Sequence, residues 1–182
     1  MDRSKTRIDS DRVPEVILLA RRTGRARTVG IGQMCVSDEP TDVLVTYSLG
    51  SCIGLVLHDP VRGLGGLIHC MLPLSKMSPA KAQERPCMFV DTGVMRLLQA
   101  LFDQGASRQD IVARVAGGAH MLDRNQTFRI GRRNFAVLRK ILWKNEILID
   151  AQDLGGTASR TLFFHIGSGS TAVKTGRSMK LL

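Results

Sequence analysis

The chain has 182 residues, 43% of them apolar and 23% charged, which is the balance of one folded domain with a real core and excludes a disordered or fibrous chain. No apolar run nears the ~20 residues of a membrane span, and residues 16–20 are too short, and too soon followed by Arg21-Arg22, for a signal-peptide core, so a cytoplasmic protein is expected. Lys and Arg outnumber Asp and Glu by 26 to 16, yet much of the excess sits in the two flanks, and one Trp and one Tyr supply few stacking platforms, so nucleic acid is not an expected partner.

Residues 1–28 mix charge without sustained periodicity and read as a basic arm, within which residues 12–22 can form a short helix. The domain is expected over residues 29–175, with a basic tail at 176–182. Residues 43–49 (VLVTYSL) are β-branched and aromatic and predict a strand, which Gly50 interrupts. Residues 53–58 (IGLVLH) predict a second, closed by the turn chemistry of DPVRG, and residues 67–72 (LIHCML) a third, ended by Pro73. Residues 75–86 are polar, carry two prolines and read as a loop.

Residues 91–104 follow the helical template, with Val94, Leu97, Leu98, Leu101 and Phe102 on one face, and Gly105 stops them. A strand over 111–116 ends at Gly117-Gly118, and a second helix spans about 132–145. Further strands begin at Ile147 and cover 160–166, and Gly167-Ser168-Gly169-Ser170 turns into a last short one. Strands outnumber helices and mostly follow one another directly. The fold class is therefore α+β, with a mixed, mainly antiparallel sheet and flanking helices.

The four cysteines, Cys35, Cys52, Cys70 and Cys87, are 17, 18 and 17 residues apart. No C-x-x-C occurs, so neither a zinc ribbon nor a dithiol redox pair is written here. A zinc site from Cys52, His58, His69 and Cys70 is poor, because His69 and Cys70 are consecutive in a strand and point to opposite faces.

Chemistry is concentrated between Val45 and Pro73. Cys52 follows Gly50-Ser51 where one strand gives way to the next, and His69 stands in an otherwise apolar strand. If the 59–64 turn is a four-residue loop with Gly63 left-handed, cross-strand partners sum to 123. His69 then faces Gly54, with Cys52 its diagonal neighbour. A two-residue turn puts the two residues directly opposite, and an odd loop puts them on opposite faces.

Brought together, a thiol and an imidazole suit acyl transfer through a thioester. Thr46 is the candidate third member, with Ser48 and Ser51 behind it, and backbone N–H groups around residues 50–52 are candidates for an oxyanion hole. On residue types alone the commoner arrangement is a buried thiol and a satisfied core histidine.

Residues 43–73, VLVTYSLGSCIGLVLHDPVRGLGGLIHCMLP, resemble the core of the chemoreceptor glutamine deamidase family CheD, T-x-x-L-G-S-C-(I/V)-G followed by D-P and G-G-x-x-H-x-M-L-P. Phe89–Thr92, Gly117-Gly118-Ala119, the run from Ile130 to Asn134, Asp153-Leu154-Gly155-Gly156 and Arg160 continue the resemblance in order, over about residues 29–174. It implies a layered α/β sandwich, with Cys52 as nucleophile, His69 as general base and acid, and Thr46 as the third catalytic member, and with no metal or organic cofactor. It also implies hydrolysis of glutamine side chains to glutamate on the cytoplasmic helices of methyl-accepting chemoreceptors, with receptor methyl-ester hydrolysis as a side activity. Members of that family also bind a chemotaxis phosphatase, CheC, which makes such a partner an expectation. A non-catalytic adaptor on the same fold is the alternative, distinguished by whether it needs Cys52, His69 and Thr46 at all. Cys70, His120 and His165 are read as structural.

Overall fold

A computed structural model of the protein describes residues 26–120 and 129–182, together with Glu15 and Ala20. Apart from those two, the short helix expected over residues 12–22 lies outside the described residues. Ten strands are present among them: β1 (Ala26–Thr28), β2 (Met34–Ser37), β3 (Val43–Leu49), β4 (Ile53–Asp59), β5 (Leu64–Cys70), β6 (Val112–Gly117), β7 (Ile149–Leu154), β8 (Arg160–His165), β9 (Thr171–Thr175) and β10 (Ser178–Leu181). Three α-helices accompany them: α1 (Pro79–Glu84), α2 (Val90–Asp103) and α3 (Ile130–Lys144).

The strands form two five-stranded sheets, β1-β3-β8-β9-β10 and β2-β5-β4-β6-β7. Only the β1–β3 and β6–β7 ladders are parallel, so the mixed, mainly antiparallel character expected from the sequence holds. What the sequence did not suggest is that β3 and β4, separated by three residues, pair in different sheets. The chain crosses from one sheet to the other at residues 50–52.

The second sheet is buried on both faces, which is why β4 is apolar along nearly its whole length. On one face Ile53, Leu55, Leu57 and Ile68 meet Leu97, Leu98 and Leu101 of α2 and Leu138 and Leu142 of α3. On the other, Val56, Leu67 and Ala116 meet Leu44, Leu49, Leu162 and Phe164 of the first sheet. The layers thus run sheet, sheet, helices. Helix α2 forms because its apolar residues recur at helical spacing and Asp91 sits in its first turn, where the macrodipole favours an acid.

Three expectations change. The flanks contribute strands: β1 pairs with residues 43–45, its Arg27 bound to Asp42 at 2.9 Å, and β10 closes the far edge against β9. Segments of three or four residues are too short for periodicity to reveal. The stretch 75–86 is not all loop, since α1 and two 3₁₀ turns occupy most of it. And β5 begins at Leu64 rather than at residue 67, taking in Gly65 and Gly66. Phe164 ring atoms lie 2.5 Å from where a Gly65 Cβ would stand, and Leu97 Cδ1 2.7 Å from that of Gly66, so these glycines admit neighbours rather than bend the chain.

Candidate active site

The β4–β5 hairpin sets the frame. Gly63 is left-handed at φ 64°, Asp59 caps the turn by accepting from the N–H groups of Val61 and Arg62 at 3.0 Å, and Asp59 pairs with Leu64. Every partner sum along the ladder is therefore 123, the register of a four-residue loop. His69 lies opposite Gly54 and Cys70 opposite Ile53. Alternation sends His69 into the space between the sheets and Cys70 into the helix-side core, where burial pushes its thiol pKa well up. Cys52 stands one residue before β4 and packs against the intersheet cluster, on the His69 side of the pleat.

Thr46 arrives from the other sheet. It is fully buried on β3, paired with Leu162, and its Oγ1 lies 2.7 Å from His69 Nδ1. The imidazole is fully buried as well, and its Nε2 has no partner. Buried polar atoms left unpaired are rare and call for an explanation. In the tautomer where Nδ1 donates to the threonine oxygen, Nε2 carries a lone pair on the side of the sheet that Cys52 occupies. Burial pushes His69 down to a pKa of about 4, so the ring is neutral at pH 7.

Cys52 is half-buried. Burial raises its thiol pKa, and its own backbone N–H opposes that rise. The resting pair is thus thiol and neutral imidazole, not thiolate and imidazolium.

The bend that carries Cys52 is held from outside. Near the end of β3, where its pairing with β8 shifts register, the left-handed position is Ser48 at φ 59°, not Gly50, and the Gly50 N–H donates back to Ser48 O. That takes Gly50 out of the oxyanion candidates and leaves the Ser51 and Cys52 N–H groups. Gly118 N–H donates to Cys52 O and Ala119 N–H to Gly50 O, each at 2.8 Å. At Gly117, φ is 116° and a Cβ would stand 2.2 Å from Cys52 O, so no side chain fits there. The Gly117-Gly118 pair therefore marks close backbone approach. Ser48 is exposed.

One residue escaped the sequence reading. Asn134, fully buried on α3, donates through Nδ2 to Ser51 O and to Met71 O, both at 3.0 Å. The signal was present: Asn134, Leu138 and Leu142 form the buried stripe of the helix at i, i+4, i+8, and an amide on such a stripe demands partners.

The family model described as CheD chemotactic sensory transduction matches residues 71–175. A probable chemoreceptor glutamine deamidase CheD of Solibacter usitatus is 48% identical over 141 residues, 78% of this chain and 83% of that protein. Probable chemoreceptor glutamine deamidase CheD 1 of Syntrophus aciditrophicus (43% identical, covering 81% of this chain and 92% of that protein) and CheD 2 of Anaeromyxobacter dehalogenans (42%, covering 82% and 94%) are also similar. Among solved structures, the Bacillus licheniformis hypothetical protein YfiH aligns with a TM-score of 0.42 at 15% identity, over 68% of this chain and 49% of that one, too distant to bear on the fold.

Proposed function

The chain belongs to the CheD family, whose relatives here are named probable chemoreceptor glutamine deamidases, and we propose that it is a thiol-dependent protein-glutamine deamidase acting on the cytoplasmic helices of chemoreceptors. The observation that carries this reading is the Thr46–His69 bond with an unpartnered Nε2 on the face that bears Cys52.

The chemistry follows from those atoms. Thr46 Oγ1 accepts the Nδ1 proton and fixes the tautomer, so His69 Nε2 is the base. It takes the Cys52 proton as sulfur attacks the side-chain carbonyl carbon of glutamine. The oxyanion that forms faces backbone N–H donors of the bend. The imidazolium then passes its proton to the departing ammonia, leaving a thioester. A water deprotonated by the same nitrogen attacks the thioester, releasing glutamate and restoring the thiol. A methyl ester enters the same route and releases methanol instead.

A neutral threonine, unlike a carboxylate, adds no charge to stabilise imidazolium, in keeping with the low pKa of His69. A CheC-type phosphatase is the further partner proposed, on the family resemblance.

Mass spectrometry of a chemoreceptor cytoplasmic fragment, incubated with the wild type and with Cys52→Ala, tests the reading. Each modified glutamine gains about one mass unit, since a nitrogen-bearing group is exchanged for an oxygen-bearing one through the acyl-enzyme. Identical spectra from the two proteins would overturn it.

A further inference from the structure

Three consecutive carbonyl oxygens of the cysteine-bearing bend are each fixed by a donor from outside it. Gly50 O accepts from Ala119, Ser51 O from Asn134, and Cys52 O from Gly118. No peptide bond among the described residues is cis. In a planar trans peptide the N–H points opposite to the carbonyl on the same bond. The direction of the Ser51 carbonyl therefore dictates the direction of the Cys52 N–H. With the carbonyl drawn toward Asn134 on α3, that N–H is turned to the opposite side of the peptide.

The second amide hydrogen of Asn134 goes to Met71 O, two residues beyond His69. One side chain thus ties the bend of the thiol to the strand of the imidazole. Both of its partners are acceptors, so only the NH₂ side of the amide can face them. The Oδ1 is left buried and unpartnered. An apolar residue at this position would continue the stripe of Leu138 and Leu142 but leave the Ser51 and Met71 carbonyls without this donor. The helix itself is docked tightly, since a Cβ on Gly131 would stand 2.6 Å from the carbonyl of Gly118.

We propose that Asn134 is a positioning residue for amide hydrolysis, which orients the Ser51–Cys52 peptide so that the Cys52 N–H donates to the oxyanion of the tetrahedral intermediate. The proposal rests on the thiol-deamidase reading given above. Asn134 exchanges no proton and forms no bond to substrate. It acts by holding a dipole in place before the carbonyl oxygen becomes charged, which is when such a donor is worth most.

The test uses the full chain as wild type, Cys52→Ala, Asn134→Ala and Asn134→Asp, with a chemoreceptor cytoplasmic fragment as substrate and iodoacetamide as a probe of the thiol. Asn134→Ala is expected to lower kcat about 10²-fold, the usual cost of losing one oxyanion donor, with KM within about threefold. Alkylation of Cys52 changes by no more than about threefold, because displacement at the iodoacetamide carbon creates no oxyanion. In Asn134→Asp the carboxyl donates only while protonated, so its kcat falls with rising pH across a range in which the wild type does not fall.

Turnover of Asn134→Ala near the wild-type value, or turnover and alkylation falling together, overturns the proposal. Should that variant fail to fold, a pH profile of Asn134→Asp parallel to the wild type overturns it as well. A wild type that deamidates no more than Cys52→Ala overturns the deamidase reading and this proposal with it. Loss confined to the Asn134 series, by contrast, speaks only to positioning.

Discussion

The hairpin of β4 and β5 carries two buried histidines, and their surroundings differ in an instructive way. Each stands opposite a glycine, His58 facing Gly65 and His69 facing Gly54. Each has an Nε2 without a partner, and burial lowers the pKa of both. At the His58 end the space is closed by hydrocarbon and backbone. Phe164 meets the ring edge-on, with centroids 5.4 Å apart, and Gly169 comes so near that a Cβ there would sit 2.6 Å from His58 Cε1. Arg114, which binds Gly169 O and Thr171 Oγ1, pushes the pKa of His58 further down. At the His69 end a threonine hydroxyl meets Nδ1, and a cysteine on a constrained bend shares the face. Burial and an orphaned nitrogen are common to both ends. Only one has a group to set the tautomer and a nucleophile beside it, and those additions turn a core histidine into a candidate base.

The sharpest way to break the comparison is to remove each imidazole in turn. His69→Gln is expected to lower kcat for deamidation by about 10³-fold, within the usual range for a general base, while His58→Gln stays within about twofold of the wild type. Steady-state kinetics on the receptor fragment decides it, and comparable losses from both would erase the distinction between the two ends.

The glycines give the next effect. Gly117→Ala places a methyl against Cys52 O, so the bend must shift and turnover of the folded protein falls about 10-fold or more. Gly169→Ala instead strikes His58 at φ 66°. It costs about 1–3 kcal/mol of stability with the turnover of folded protein unchanged, which urea titration and kinetics together would reveal.

A smaller change is expected at Thr46. Thr46→Val keeps shape and loses the hydroxyl, lowering kcat about 10-fold, and Thr46→Ser recovers most of it. Equal rates for valine and serine would mean that the Thr46–His69 bond does not orient the ring.

The least effect is shared by both ends. Both histidines have folded-state pKa values below the ordinary 6.5, so the unfolded chain takes up protons first as the solution is acidified. Their contribution to stability is complete above about pH 6.5 and drains away as pH falls, for His69 until about pH 4. The full loss from His69 is of the order of 3 kcal/mol. Denaturant unfolding between pH 7 and pH 4 should show the decline, and each His→Gln variant should flatten part of it.

What the sequence by itself determined was whatever neighbours along the chain dictate. The bounds 43–49 coincide with β3, and the helix expected at 91–104 is α2 displaced by one residue. Turn chemistry narrowed the 59–64 loop to a few registers, and the left-handed Gly63 with its 123 pairing, which puts Cys52 and His69 on one face, is the one the fold adopts. Tertiary structure decided the contacts between segments far apart in the chain. Thr46 meets His69 only because β3 and β4 leave Gly50-Ser51-Cys52 for different sheets, which then stack. Asn134 reaches Ser51 and Met71 only once α3 docks on Gly118. Strands β1 and β10 exist only because β3 and β9 offer them an edge. A turn sets its own register because its hydrogen bonds close within a few residues. Stacking of sheets and docking of a helix are driven by apolar area contributed from the whole chain, and no short window of sequence contains that information.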